Sequence, residues 1–420
     1  MTMTTSQVAD CVSRYAGRLH AVIGTGHHVA SPLGAWLLLA LAAPASTGPD
    51  RVALSEVLGC DVDEAAGAAA DLLANPHPLV ASAAAIWTAR RAQLTPEFAR
   101  WRERLPAEVT TGDLPGQAAL DGWAREHTFG LIDRFPIQDD SLYLVLATAL
   151  ATKVSWQTPF DLAPAASLGT ASPWASRLDR VLRTPPRPRG HVQFIAMTPG
   201  AGEVITHLAT AAGGLFVISV AAGPEVAAGD VLAAAHDLGR RYAAGLQVDR
   251  RDLADLPVGE APLWRVREVT ATADSCIAVL PAWSARSDHN LTDPVLGFTA
   301  VKDALAPRAD PWQARQSALA RYSRTGFEAA AVTAIGIALA ARMPGRHREV
   351  ELRFGHPYAA VAIATAPDVP GEPAGAHTSP WHGLPVFSAW VSDPEDPADD
   401  PPPRDSRPAR TSGPSPGGRP

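Results

Sequence analysis

The side chains able to do chemistry are scattered along this chain, and no spacing among them builds a catalytic site. Neither standard Gly-rich phosphate loop occurs, nor a G-x-S-x-G nucleophile elbow, nor an H-E-x-x-H zinc pair. His27 and His28 are neighbours, so on a helix their rings would diverge; they read as a surface turn, not as metal ligands. Asp139-Asp140 and Asp399-Asp400 fall in turn-like and tail-like sequence, where carboxylates are ordinarily solvated. Asn290-Leu291-Thr292 fits a glycosylation sequon, a triplet that chance supplies often. Cys11, Cys60 and Cys276 are an odd number of thiols in a chain long enough to need no staples, so they read as buried free cysteines. The sequence assigns no metal, no cofactor and no catalytic residue. An unrelated enzyme with its site in 162–275 is the least favoured reading.

One stretch has a pattern of its own. From Phe327, alternate residues are Phe327, Ala329, Ala331, Thr333, Ile335, Ile337 and Leu339, a largely apolar set. The other face, Glu328, Ala330, Val332, Ala334, Gly336 and Ala338, is small after its first member. No charge appears between Glu328 and Arg342. Such a segment suits a strand with one face on a core. Composition alone would equally allow an Ala-rich helix or a buried strand.

The elements around it follow from local pattern. Residues 7–20 predict an amphipathic helix, and 32–43 a buried one opened by Ser31-Pro32, since Pro is accepted in a first turn. Helical patterns continue at 55–75, 95–104, 116–127 and 297–305. Strand-like runs fall at 81–87, 143–155, 214–221, 276–280, 350–354, 358–365 and 384–391. Helices dominate the first third and strands the last, which predicts an α+β protein and not alternating βαβ units. Thr184–Gly190 reads as a surface loop. From Asp393 the chain turns acidic and then Pro/Gly/Ser/Arg-rich, which predicts one domain over 1–392 and a disordered tail over 393–420.

Composition bounds the partners. With 420 residues, 46% hydrophobic and 19% charged, the chain is of globular type and able to bury a large core. A net charge of −7 gives no broad attraction to nucleic acid or to an anionic membrane. The only lysines are Lys153 and Lys302, and the many arginines read as codon bias of a GC-rich genome. Ala35–Ala43 is apolar but far short of the ~20 residues of a spanning helix. The N-terminus shows no signal-peptide pattern.

Several segments, in order, resemble the serpin family. His28–Leu39 is similar to its buried segment around F-S-P-L-S. Leu120–Ile132 keeps Trp123, Thr128, Gly130 and Ile132 of N-x-W-V-x-x-x-T-x-G-x-I. Val145–Phe160 is the clearest match, with Lys153, Trp156, Pro159 and Phe160 in place of their counterparts in L-V-N-A-I-Y-F-K-G-x-W-x-x-P-F. Leu280–Trp283 resembles L-P-K-F, Gly326–Thr333 the hinge G-T-E-A-A-A-A-T, His356–Tyr358 the family's H-P-F, and Leu384–Pro394 its terminal strand. The resemblance covers about 7–394 and is faint over 162–275.

It implies the serpin fold: three β-sheets, eight or nine helices and an exposed reactive-centre loop at about 326–347. It implies a bacterial-type inhibitor of serine proteases that acts as a suicide substrate, not an enzyme. The cleaved loop would insert into the main sheet and trap the acyl-enzyme. The hinge would be Gly326, Phe327, Glu328, Ala329, Ala330, Ala331, Val332 and Thr333. The zone where the sheet parts would include Ser31, Thr148, Trp156 and Gln316. Counting forward from Gly326 puts cleavage at Ala340-Ala341, which would suit an elastase- or subtilisin-like target. Counting back from Phe354 and Pro357 points to Arg346-His347, with Arg342-Met343 between, and either Arg would suit a trypsin-like one. The two counts differ by six (346 − 340), so the loop is longer than usual. A monomer working outside the cell is implied, with the cytoplasm as alternative because no export signal is visible.

This sequence departs from the family pattern at several points. Phe327 replaces a small Thr or Ser, Thr148 an Asn, Gly34 a Ser and Gln316 a His, while Arg324 and Thr325 replace acidic residues. A bulky ring at Phe327 predicts slow entry into the sheet. The alternative is therefore a non-inhibitory serpin-like binding or structural protein whose loop is cut without trapping.

Overall fold

A computed structural model describes residues 3–90, 96–136, 142–185, 189–211, 213–305, 312–327, 345–366 and 379–398. The chain opens on α1 (Thr5–Ile23), where Thr4 and Gln7 form a reciprocal capping box. Ser31 caps α2 (Pro32–Ala42), whose every residue is buried. The apolar run at 35–43 is thus a core helix, and no described helix is long and apolar enough to cross a membrane. Then come α3 (Gly48–Leu58), ending at left-handed Gly59, and α4 (Val62–Ala74), capped by Asp61. α5 (Pro96–Arg102), α6 (Gln117–Glu126), α7 (Ala228–Ala243) and α8 (Phe298–Leu305) complete the described α-helices.

The strands form three sheets. One is six-stranded and antiparallel throughout: β1 (His28–Ala30), β19 (Pro385–Val391), β18 (Tyr358–Ala364), β10 (Leu215–Ala221), β9 (Gly202–Ala211) and β8 (His191–Thr198). β10, β18 and β19 are buried along their whole length, which explains their unbroken apolar runs. A second sheet orders β11 (Gly259–Glu260), β12 (Trp264–Ala271), β17 (Gly345–Arg353), β13 (Ser275–Leu280), β7 (Arg180–Arg183) and β6 (Asp161–Pro164).

The main sheet orders β3 (Val109–Asp113), β2 (Val80–Thr88), β4 (Leu144–Thr152), β15 (Gln313–Tyr322), β16 (Gly326–Phe327) and β5 (Val154–Ser155), with β14 (Trp283–Asn290) on the far side of β15. Its two faces are used differently. On β4, Leu144, Leu146 and Leu150 join the large core with α2, while Val145 and Ala147 face a smaller cluster with Leu120 and Ala124 of α6. Trp87 and Trp123 meet edge-on in that cluster at 5.2 Å.

Two expectations need correction. The tail does not begin at Asp393. Asp393 pairs with Arg177 at 2.8 Å, Glu395 bridges to Ala282, and Asp396 accepts the N–H groups of Asp179 and Arg180. These acidic residues are thus docked by ion pairs and backbone donors that an acidic composition does not reveal; only 399–420 lie outside the described residues. Secondly, the strand expected at 350–354 starts at Gly345, because its first residues lie in a half-exposed, polar part of the sheet with no apolar signature.

Candidate functional site

β4 and β15 are parallel neighbours, yet they share residue pairs only at one end, Gln313 with Val145 and Ala314 with Leu146. Beyond that, β4 runs on to Thr152 and β15 to Tyr322 with no further pairing between them among the described residues. At the other end β16 occupies the place between: Phe327 pairs with Tyr322 of β15 and with Val154 of β5, and Gly326 with Ser155. β4 and β15 are thus paired at one end of the main sheet and parted at the other by the two residues of β16; the stretch between, where no pairing joins them among the described residues, is the cleft.

Aromatic rings build the entrance. Trp156 donates its N–H to Thr325 O and its Nε1–H to Ser323 O, both at 3.0 Å. Phe160 N–H donates to Arg324 O at 2.9 Å, and Arg324 Nε returns a bond to Phe160 O. Within the turn, Ser323 N–H and Oγ–H both donate to Gly326 O, at 2.9 and 3.0 Å. Tyr322 and Trp283 stack at 6.0 Å, and Phe327 meets Trp283 edge-on at 6.1 Å. Phe327 is 3% exposed. The ring that predicted obstruction is thus seated on the core side. The bonds to Trp156 and Phe160 N–H use the backbone carbonyls of Thr325 and Arg324, so the loss of acidic side chains there leaves those two bonds intact.

Halfway along the cleft lies a polar knot. Gln316 on β15 accepts the N–H of Ser31 at Oε1 and donates from Nε2 to Ser31 O, both at 2.8 Å. Ser31 Oγ donates to Val386 O at 2.7 Å and accepts the Gly34 N–H at 3.1 Å. A Cβ on Gly34 would stand 3.0 Å from Leu150 Cδ1 and 3.2 Å from Thr148 Oγ1. Gly34 and Thr148 are matched: a larger side chain on α2 would collide with β4. The structure brings Ser31, Thr148 and Gln316 together, while Trp156 belongs to the entrance.

The surface turn expected at His27-His28 is corrected: His28 is buried in β1 beside this knot, and the sequence reading passed over the imidazoles around it. His289 stands opposite Gln316 in the β14–β15 register and shares a 2.7 Å bond with Val29 O. His28 and His20 share a 2.8 Å bond, and His20 reaches Ser388 Oγ at 2.6 Å. Burial holds His20, His28 and His289 below the ordinary imidazole value, and His236 beside His20 down to about 4. Their sequence positions are far apart, and no motif announces them. Among the described residues no three His, Cys, Asp or Glu groups are placed to hold a metal ion.

The loop itself is described only at its ends. Glu328, Ala329, Ala330, Ala331, Val332, Thr333, Ala340, Ala341, Arg342 and Met343 lie outside the described residues. Arg346 and His347 lie in β17, opposite Thr270 and Val269 of β12, with Arg346 3.3 Å from Glu268 and His347 3.1 Å from Asp274.

This architecture is that of the serpins. The thermophilic serpin tengpin in its native state superposes with a TM-score of 0.63 at 13% identity, over 93% of this chain and 94% of that one. Human thyroxine-binding globulin in complex with thyroxine gives 0.62 at 12% identity over 94% and 100%. Serpin48 of the insect Tenebrio molitor gives 0.58 at 14% over 92% and 97%. No family sequence model and no curated protein sequence matches the chain. It has the serpin fold, with the three sheets the resemblance implied and eight α-helices among the described residues.

Proposed function

We propose that this protein inhibits serine proteases as a suicide substrate, its loop inserting between β4 and β15 after cleavage. The observation that carries this reading is the seat of Gly326–Phe327 at the head of an unpaired cleft. Phe327 faces the large core, so Ala329, Ala331, Thr333, Ile335, Ile337 and Leu339 would follow it there. The small residues Ala330, Val332, Ala334, Gly336 and Ala338 would lie on the α6 face, where space is limited. β15 is ten residues long, roughly 33 Å of strand, and 328–340 is long enough to line it. Insertion would complete the ladder of two strand edges and bury apolar surface, which is the driving force a trap requires.

Cleavage within 328–344 fits this picture, since Arg346 and His347 already lie in a sheet. Ala340-Ala341 would take an elastase- or subtilisin-like protease and Arg342-Met343 a trypsin-like one. A monomer acting outside the cell is the setting such a target suggests. The test is incubation with elastase, subtilisin and trypsin, with mass spectrometry of the cut and thermal melting before and after. A complex stable on denaturing gels, together with a large rise in melting temperature, is expected. Quantitative cleavage without a complex by all three enzymes would sink the inhibitor reading.

A second reading is a serpin-fold binding protein that does not trap. The bonds holding the Ser323–Gly326 turn favour it, because they could stop entry after two residues. One similar structure, thyroxine-binding globulin, is itself named for a small molecule it binds. An unchanged melting temperature after loop cleavage is the outcome this reading expects.

A further inference from the structure

Two of the three thiols are neighbours in space. Cys11 projects from α1 toward the α3–α4 connection, where its Sγ–H donates to Gly59 O at 3.4 Å. Cys60 is the next residue after the carbonyl that Cys11 touches, and its own Sγ–H donates to Leu58 O at 3.9 Å. One turn along α1, Arg14 closes over both: its Nη2 donates to Cys11 Sγ at 3.4 Å and to Gly59 O at 2.9 Å. Gly59 sits at φ +78°, and a Cβ there would stand 2.9 Å from that guanidinium nitrogen. The left-handed glycine that ends α3 therefore also leaves the seat for Arg14.

We propose that Cys11 and Cys60 form a redox pair, oxidised by a small peroxide to a disulfide that staples α1 to the α3–α4 connection. Cys11 is 2% exposed, Cys60 is half-buried and Arg14 is exposed, so a reagent of peroxide size is required and a bulky disulfide is excluded. The Cys60 side chain and the guanidinium of Arg14 favour the Cys11 thiolate against the opposing effect of burial; the Cys11 side chain and burial push Cys60 up. Cys11 is thus the attacking group and Cys60 the resolving one.

In the first step Cys11 sulfur attacks one peroxide oxygen. The O–O bond breaks, a sulfenic acid forms, and the leaving hydroxide takes the proton Cys11 has lost, leaving as water. In the second, Cys60 sulfur attacks the Cys11 sulfur, the S–O bond breaks, and hydroxide leaves with the Cys60 proton as a second water. Two thiols lose two electrons and hydrogen peroxide gains them. Cys276 has no such neighbour among the described residues, and burial pushes it up to about 12, so it stays reduced. The closed loop spans Ser31, Gly34 and all of α2, the elements packed against the cleft.

The test is stoichiometric hydrogen peroxide on the reduced full chain, followed by thiol counting in denaturant and non-reducing peptide mapping. Titratable thiols should fall from three to one, with a Cys11–Cys60 linked peptide and a melting temperature higher by about 3–5 °C. Cys60→Ser should yield a Cys11 sulfenic acid that a dimedone-type probe captures once the chain is unfolded in its presence, and Arg14→Ala should slow the reaction several-fold. Three thiols surviving excess peroxide would overturn the proposal. So would a cross-link through Cys276 or between two chains, or oxidation of Cys11 to sulfinic acid with Cys60 left free.

Discussion

Gln316 and Phe327 show how much a single side chain contributes at the cleft. Gln316 bonds both backbone groups of Ser31 at once, so its removal strands a buried N–H and leaves the buried C=O with only the Ala35 N–H at 3.2 Å. Gln316→Ala should cost about 3 kcal/mol and lower the melting temperature by roughly 5 °C, whereas Gln316→Asn should also lose the pair because its reach is one methylene shorter. Calorimetry of both variants checks this. Phe327 makes the opposite point to the one its size suggested. Because its ring fills a seat beside Trp283, Phe327→Ala should destabilise the intact protein by about 3 kcal/mol. An obstructing ring would instead give unchanged stability and a higher yield of protease complex, so denaturant melts and gel titration of the same variant separate the two.

Among elements, β16 is the informative one. It is two residues long, yet it fixes the parity an inserting loop would follow: with Phe327 on the core side, odd-numbered loop residues would face the core and even-numbered ones α6 if the loop enters as proposed. Thr333→Arg would then place a charge in the large core during insertion. The variant should be cut at the wild-type rate while its covalent complex falls at least tenfold, since an unpaired buried charge costs several kcal/mol. Ala334→Arg meets α6 instead and should be less damaging. Equal loss from both variants would show that parity does not govern entry. Gel quantitation of complex against cleaved product provides the measurement.

Across the whole molecule, the buried imidazoles between the six-stranded sheet, α1, α7 and β14 tie stability to acidity. His20, His28, His236 and His289 are held below the ordinary imidazole value by burial, so the folded chain keeps them neutral where the unfolded chain would protonate them. Between about pH 6.5 and the folded values, the unfolded state binds more protons, and stability falls as pH falls. For His236 that window runs down to about 4 and is worth on the order of 3 kcal/mol. Melting temperature should be flat above pH 7 and drop steeply from 6.5 to 4. His236→Phe, which removes an imidazole whose two nitrogens have no hydrogen-bond partner, should flatten part of that slope.

By itself the sequence determined the elements whose burial is continuous or periodic: α1, α2, β4, β10, β18 and β19 all lie where apolar pattern put them. Through the resemblance it also singled out Ser31, Thr148 and Gln316, which the fold brings to one place, and Trp156, which lies at the entrance instead. β12 and the start of β17 carried little apolar signature because charged, solvent-facing residues interrupt them, and β5, β11 and β16 are too short to carry a period. Only the tertiary structure decided that β4 and β15 are unzipped over most of their length, that Gly34 makes room for Thr148, and that Phe327 already has a seat. Most of those facts are contacts between residues far apart in sequence, Gly34 with Thr148 and Gln313 with Val145 among them. Hydrophobic periodicity reports how a residue meets its own element's neighbours; it does not report which distant strand leaves a gap beside it.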